Sequence, residues 1–94
     1  ESICYGHAGD GNLHVNILKG NMSEEDWQHK LKKGIAEIFE LTVSLGGTLS
    51  GEHGIGLVQK EYMHLKFSEV HLNLMRHIKQ VFDPHGILNP GKIF

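Results

Sequence analysis

The alternation of apolar and polar positions near the start of the chain predicts two short strands joined by a tight turn. Residues 2–5 are apolar and rich in residues that favour strands. Residues 13–18 alternate, so that three apolar side chains fall on one face and His14 and Asn16 fall on the other. The sequence GDGN at 9–12 is a strong turn signal. We therefore expect a strand or hairpin whose polar face carries a functional site.

Two longer segments have the spacing of amphipathic helices. Ser23, which precedes three acidic residues, predicts the start of the first helix, and the glycine pair 46–47 predicts its end. A second long helix is expected from Ser68 to the Asp83–Pro84 pair, because proline disfavours helical geometry in the residue before it. The apolar stripe predicted for this second helix consists of Leu72, Met75, Ile78 and Phe82.

This order of elements predicts an α+β fold, with helices packed on one face of a small antiparallel sheet. One or two strands do not form a stable sheet alone, so further strands are expected upstream or from a partner chain. The chain begins at Glu1, inside a predicted strand. We interpret residues 1–94 as one small domain that forms the C-terminal piece of a longer protein.

Composition excludes several classes of function. The net charge of −2 and the absence of a basic stripe argue against nucleic acid as a partner. The apolar runs are too short for a transmembrane segment, and no signal peptide is visible. The single cysteine, Cys4, excludes a disulfide framework and fits a reducing compartment. We expect a cytoplasmic location, with peripheral attachment to a membrane as the alternative for a full-length protein.

Candidate chemistry is concentrated in two glycine-rich stretches, GHAGDGNLHVN at 6–16 and GGTLSGEHGIG at 46–56. His7 and His14 are seven residues apart, which would place them on opposite faces of one straight strand. The turn between them removes that objection. Imidazole and carboxylate groups together form many catalytic metal sites, and Glu52 is the obvious third ligand. The two stretches therefore predict a divided metal site.

Two neighbouring side chains have candidate roles beside such a metal. His53 follows Glu52 on the loop and is the candidate general base, because the pKa of an unperturbed imidazole lies near neutrality. Asn16 shares the face of His14 and is able to donate a hydrogen bond to a substrate oxygen.

A simpler interpretation stays open beside this one. The chain has eight histidines, and scattered histidines are more often surface or packing residues. That interpretation is preferred for the five that share no common point: His29, His64, His71, His77 and His85. A non-redox metal-binding module and a structural or interaction domain therefore stay open as alternatives.

Three linked motifs give the chain a resemblance to a known family. These motifs are the two glycine-rich stretches and the pair FDP at 82–84 with LNPGK at 88–92, and they match in order and spacing. They resemble the C-terminal part of FAD-linked 2-hydroxy-acid dehydrogenases, flavoproteins of the vanillyl-alcohol-oxidase type. This group includes D-lactate dehydrogenase, the glycolate oxidase flavin subunit and D-2-hydroxyglutarate dehydrogenase.

The resemblance implies part of a ferredoxin-like substrate domain, with an FAD-binding domain upstream. It implies that His7, His14 and Glu52 bind a divalent metal such as zinc or manganese. It further implies that His53 acts as the base, that Asn16 contacts substrate and that Asn89 approaches the flavin. The implied reaction oxidises a small D-2-hydroxy acid to the 2-oxo acid. The 94 residues alone are expected to be inactive and open to self-association through uncovered sheet edges.

Overall fold

The computed structural model describes residues 1–94 as one hairpin followed by three helices. The elements are β1 (Ser2–His7), β2 (Asn12–Ile17), α1 (Glu24–Ser44), α2 (Met63–Lys66) and α3 (Glu69–Phe82). The two strands pair antiparallel. The predicted α+β class is confirmed, and the short helix α2 lies between the two long helices. No helix here is both long enough and apolar enough to pass through a bilayer.

The hairpin sorts its side chains onto two faces. Tyr5 lies opposite His14 and His7 lies opposite Asn12, and directly opposed residues in antiparallel strands share a face. This side of the hairpin, which also carries Asn16, is called the imidazole face below. It is the polar face that the alternation predicts.

The other face of the hairpin is turned toward α1. A Cβ atom built on Gly34 of α1 would lie 3.9 Å from Cδ1 of Ile17, which is ordinary van der Waals contact. Helix α1 therefore packs against this face of the small sheet at Ile17, as predicted, on the opposite side from the imidazole face.

Both ends of α1 follow the local signals in the sequence. The hydroxyl of Ser23 accepts a hydrogen bond from the Asp26 amide at 3.2 Å, which caps the start of the helix. At the other end, Gly46 adopts a left-handed conformation with φ of 86°, and the Gly47 amide donates to the Thr42 carbonyl at 2.9 Å. This Schellman arrangement turns the chain out of the helix and into the second glycine-rich stretch.

The apolar core lies between the long helices. Its four buried residues are Leu49, Tyr62, Met63 and Leu72. Partly buried side chains from α1, among them Ile35 and Phe39, and Met75 from α3 pack against this cluster. The core thus joins the two helices through residues of the intervening segment, and that segment carries the second glycine-rich stretch.

The prediction for the apolar stripe of α3 is wrong in its second half. Leu72 is buried and Met75 packs against the core, but Ile78 is 51% exposed and Phe82 is 77% exposed. Spacing identifies the side chains that share a face of a helix, whereas burial requires another element to meet that face. The core meets α3 in its first two turns, and the last turns extend beyond this contact.

A buried carboxylate organises the tail that follows α3. Asp83 is 6% exposed, and its two oxygens accept hydrogen bonds from the amides of Ile87 and Leu88, each at 3.0 Å. The Lys79 ammonium also bonds this carboxylate and donates to the Leu88 carbonyl at 2.6 Å. Residues 87 and 88 are therefore fixed to the end of α3.

Asp83 makes the stability of the fold sensitive to acid. The hydrogen bond from Lys79 lowers the pKa of the Asp83 carboxyl below its usual value; burial opposes this shift, and the two amides add to it. A carboxyl with a lower pKa in the folded state stabilises the fold at neutral pH, and this contribution is lost as pH falls through that pKa.

We expect Asp83→Asn to lower the free energy of unfolding at pH 7 and to flatten its decline below about pH 4. Urea unfolding across the pH range measures both effects. The matched control is Asp10→Asn, since Asp10 is exposed in the hairpin turn and makes no hydrogen bond through its carboxylate. Identical pH profiles for the two variants would contradict this role of Asp83.

Gly6 is required by the close approach of the two strands. A Cβ atom at this position would lie 2.1 Å from the backbone oxygen of Asn12, whereas one at Gly9 would meet nothing within 4 Å. We expect Gly6→Ala to destabilise the protein by about 1–3 kcal/mol, because the strands must separate. Gly9→Ala is the control from the same hairpin. Equal urea midpoints for the two variants would refute the steric argument.

Candidate metal centre

The hairpin brings His7 and His14 together. His7 ends β1 and His14 lies in β2, and the turn at Ala8–Asp10 folds the chain so that both rings occupy the imidazole face. Their ring centroids are 5.9 Å apart and the planes meet at 75°. The predicted hairpin thus removes the objection that seven residues separate them.

The loop that carries Glu52 is held by the core at both of its ends. Leu49 is 4% exposed, and Ile55 packs against the core cluster. Between them, the Ser50 hydroxyl accepts a hydrogen bond from the Gly54 amide at 2.8 Å, which closes the loop across Glu52. Two apolar side chains and one internal hydrogen bond therefore fix the backbone on both sides of Glu52.

The loop and the hairpin meet at Gly51. A Cβ atom there would lie 2.1 Å from Oδ1 and 2.7 Å from Cγ of Asn12. Asn12 is the cross-strand partner of His7, so this contact brings the backbone before Glu52 against the hairpin end that carries His7. Glycine at position 51 permits the approach.

Three side chains converge at this junction with the geometry of metal ligands. The Glu52 Oε1 atom lies 3.2 Å from His14 Nε2 and 3.9 Å from His7 Nε2. One ligand atom from each of the three residues lies within 4.8 Å of the others. The His14 side chain is 23% exposed, whereas the side chains of His7 and Glu52 are 60% and 49% exposed.

This donor set fits a divalent cation. Metal bonds of about 2.0–2.2 Å to imidazole nitrogen and carboxylate oxygen separate tetrahedral ligands by roughly 3.4 Å. The distances of 3.2 Å and 3.9 Å from Glu52 Oε1 to the two imidazole nitrogens are close to this value. Two neutral imidazoles and one carboxylate leave coordination positions for water or substrate, as in catalytic zinc sites. The three residues that the sequence predicts as ligands therefore lie together and are able to share one ion.

His53 lies at the edge of the same group. Its Nε2 atom is 3.7 Å from Glu52 Oε1, and its ring meets the His14 ring edge-on, with centroids 5.5 Å apart. Its side chain is 76% exposed, so the ring is open to solvent beside the other three side chains.

A shallow cleft opens beside Glu52. It has a volume of about 320 Å³. The hydroxyl residues Thr48 and Ser50 line it together with the apolar side chains of Ile55 and Phe67. The cleft is large enough for a small organic acid and lies next to the candidate ligand.

Asn16 lies on the imidazole face, two residues after His14, as predicted. Its amide nitrogen donates a hydrogen bond to the Tyr5 hydroxyl at 3.3 Å. The Tyr5 ring is stacked on the His14 ring, with centroids 5.1 Å apart and an interplanar angle of 16°. Sequence reasoning missed Tyr5, although its position two residues before His7 in the same strand was enough to assign it to this face.

Asn89 lies apart from the imidazole face, in the tail. It has a positive φ of 46° and begins a turn in which its carbonyl accepts from the Lys92 amide at 3.3 Å. The tail then returns to the second glycine-rich stretch, since the Ile93 amide donates to the Gly56 carbonyl at 2.8 Å. One backbone hydrogen bond therefore joins the tail to the second glycine-rich stretch, and the group of His7, His14 and Glu52 joins that stretch to the first.

The five histidines interpreted as surface residues are all exposed and lie outside the group of His7, His14 and Glu52. The one arginine, Arg76, donates to the Glu69 carboxylate and to the Asn73 side chain, each at 2.8 Å. It is exposed on α3, and its guanidinium also lies over the Phe94 ring, 5.7 Å from the centroid.

Comparisons with known proteins agree with the resemblance. Residues 1–93 match the family described as FAD linked oxidases, C-terminal domain. The chain is 44% identical over 94 residues to the glycolate oxidase subunit GlcD of Bacillus subtilis, covering 99% of this chain and 20% of that protein. It is 41% identical over 95 residues to a D-2-hydroxyglutarate dehydrogenase of Stutzerimonas stutzeri, covering 100% of this chain and 20% of that protein.

A D-lactate dehydrogenase of Archaeoglobus fulgidus is 47% identical over 93 residues, which are 99% of this chain and 20% of the relative. The chain thus spans about one fifth of the length of the curated relatives that it matches.

Proposed function

Because the chain belongs to the family of FAD linked oxidases, C-terminal domain, we propose that it forms one side of the active site of an FAD-dependent dehydrogenase. The proposed reaction oxidises a D-2-hydroxy acid of the lactate, glycolate or 2-hydroxyglutarate class to the 2-oxo acid. The relatives are named for these substrates. The observation that carries the proposal is the convergence of His7, His14 and Glu52 from two segments that are remote in sequence.

We assign the divalent metal to these three residues. The distances of 3.2 Å and 3.9 Å from Glu52 Oε1 to the two imidazole nitrogens support this assignment. Zinc and manganese are the candidate ions, because imidazole with carboxylate suits both. Such an ion would polarise an oxygen of the substrate and lower the pKa of its hydroxyl.

Side chains of this protein take the proton of the substrate hydroxyl and orient the substrate. His53 takes the proton of the substrate hydroxyl on Nε2, and its place at the edge of the ligand group supports that role. Asn16 holds the substrate through its amide, which lies on the same face as His14. The hydroxyls of Thr48 and Ser50 supply further donors to an acid bound in the cleft.

The flavin is proposed to lie in a domain outside these residues. Bound FAD would supply the chemistry that removes the hydride from the α-carbon of the substrate. We propose that Asn89 approaches this flavin. The left-handed backbone of Asn89 and the fixed position of residues 87 and 88 on Asp83 support a defined location for it. A cytoplasmic location is also proposed, because the free and exposed Cys4 fits a reducing compartment.

Substitutions at the ligands and at the base separate the two roles in the full-length protein. Glu52→Gln is expected to weaken binding of zinc by at least roughly tenfold, because it removes the anionic ligand. His53→Asn is expected to keep both metal and FAD but to lower kcat by about 10²- to 10⁴-fold, because it removes only the base. Metal analysis, the flavin absorption spectrum and turnover of D-lactate, glycolate and D-2-hydroxyglutarate give the three readouts.

The matched control is His29→Asn, an exposed histidine on α1 outside the ligand group. It is expected to behave like the unmodified protein. Turnover of the His53→Asn variant equal to that of this control would contradict the proposed base. Metal without flavin in the full-length protein would favour a non-redox metal-binding module instead.

A further inference from the structure

Tyr5 makes two separate contacts with the imidazole face. Its ring lies against the ring of His14, the residue directly opposite it in the strand register. Its hydroxyl accepts the hydrogen bond from Asn16, which lies one pleat further along β2. One side chain therefore touches both a proposed metal ligand and the proposed substrate contact.

The ring contact is the only parallel one that His14 makes. The rings of His7 and His53 meet the His14 ring at 75° and 89°, so each presents an edge, whereas the Tyr5 ring covers one face at an angle of 16°. Rotation of the imidazole about its bond to Cβ would require this face to leave the tyrosine. The stacked position is also the one in which His14 Nε2 lies 3.2 Å from Glu52 Oε1.

The hydroxyl contact acts on the amide of Asn16. A primary amide has two N–H groups, and the bond to Tyr5 uses one of them. The other N–H and the amide oxygen then have a defined direction on an exposed face. Without the hydroxyl, the Asn16 side chain has no hydrogen-bond partner in the fold.

We propose that Tyr5 is a positioning residue that fixes His14 through its ring and Asn16 through its hydroxyl. The inference rests on the proposed function, since it assigns Tyr5 to the metal and substrate sites of that reaction. It also assigns different roles to the ring and to the hydroxyl of this one side chain. The ring governs affinity for the metal, and the hydroxyl governs affinity for the 2-hydroxy acid.

Two substitutions in the full-length protein separate these contributions. Tyr5→Phe keeps the ring and removes the hydroxyl, whereas Tyr5→Leu removes the ring as well. Zinc affinity is measured by competition with a chelating dye in the absence of substrate. A stacked aromatic pair is worth about two- to tenfold in an equilibrium constant, so Tyr5→Leu is expected to weaken zinc binding by roughly two- to tenfold. Tyr5→Phe is expected to leave it unchanged.

Steady-state kinetics measure the hydroxyl contribution. With D-lactate, glycolate or D-2-hydroxyglutarate, whichever is turned over fastest, Tyr5→Phe is expected to raise KM by about tenfold with little change in kcat. Ordering one free side chain on binding costs up to about 1.4 kcal/mol, which corresponds to this factor. Cys4→Ala is the control, because Cys4 is the exposed neighbour of Tyr5 on the opposite face of β1. It is expected to leave both constants unchanged.

The outcomes distinguish the inference from the function on which it rests. Failure of the unmodified protein to bind zinc or manganese would contradict the proposed function itself. Normal zinc binding by Tyr5→Leu, in a protein that otherwise binds zinc, would contradict the ring contribution alone. A KM for Tyr5→Phe equal to that of Cys4→Ala would contradict the hydroxyl contribution, and this arm does not depend on whether Tyr5→Leu folds.

Discussion

Burial of Leu49 is the constraint on which the geometry of the site depends. The second glycine-rich stretch has little regular structure, and Leu49 ties it to Tyr62, Met63 and Leu72 in the core between the long helices. Three residues later the same backbone presents Glu52 to the hairpin. Burial of an apolar side chain therefore positions the Glu52 carboxylate. The ion pairs of this carboxylate contribute little by themselves, because they are exposed to solvent. The other face of the hairpin packs against α1 at Ile17. Helix α1 also packs against the core cluster that contains Leu49, so it contacts both parts of the candidate site.

The arrangement around Glu52 Oε1 explains how a small domain can hold chemically different groups in one place. Three imidazole nitrogens lie within 3.2 to 3.9 Å of this single oxygen. His7 and His14 come from strands whose pairing fixes their relation, whereas His53 follows Glu52 on the loop. In the proposed function, the strand pair would bind the cation and the exposed ring on the loop would take the proton. Glycines at 6 and 51 allow the backbones to approach closely enough for the two parts to meet.

The local signals in the sequence predicted most of the elements and the members of the site. Alternation from Leu13 onward gave the correct face for His14 and Asn16, and Ser23 and Ser68 cap the long helices as expected. The location of the core was not predictable in this way, because Leu49, Tyr62 and Met63 lie in loop and short helical segments without periodicity. Ile78 and Phe82 fit the helical period but remain exposed, since periodicity carries no information about where a neighbouring element ends. Tyr5 was missed because it was assigned to an apolar strand rather than to the polar face of a pair.

The central claim is that His7, His14 and Glu52 bind one divalent cation in the full-length protein. X-ray absorption spectroscopy at the zinc or manganese edge tests it most directly, because the spectrum reports the type and distance of the atoms bound to the metal. The expected spectrum contains two imidazole ligands and oxygen ligands at about 2.0–2.2 Å, and it loses one imidazole after His7→Ala. A bound metal whose spectrum lacks imidazole, or is unchanged by His7→Ala, would contradict the claim.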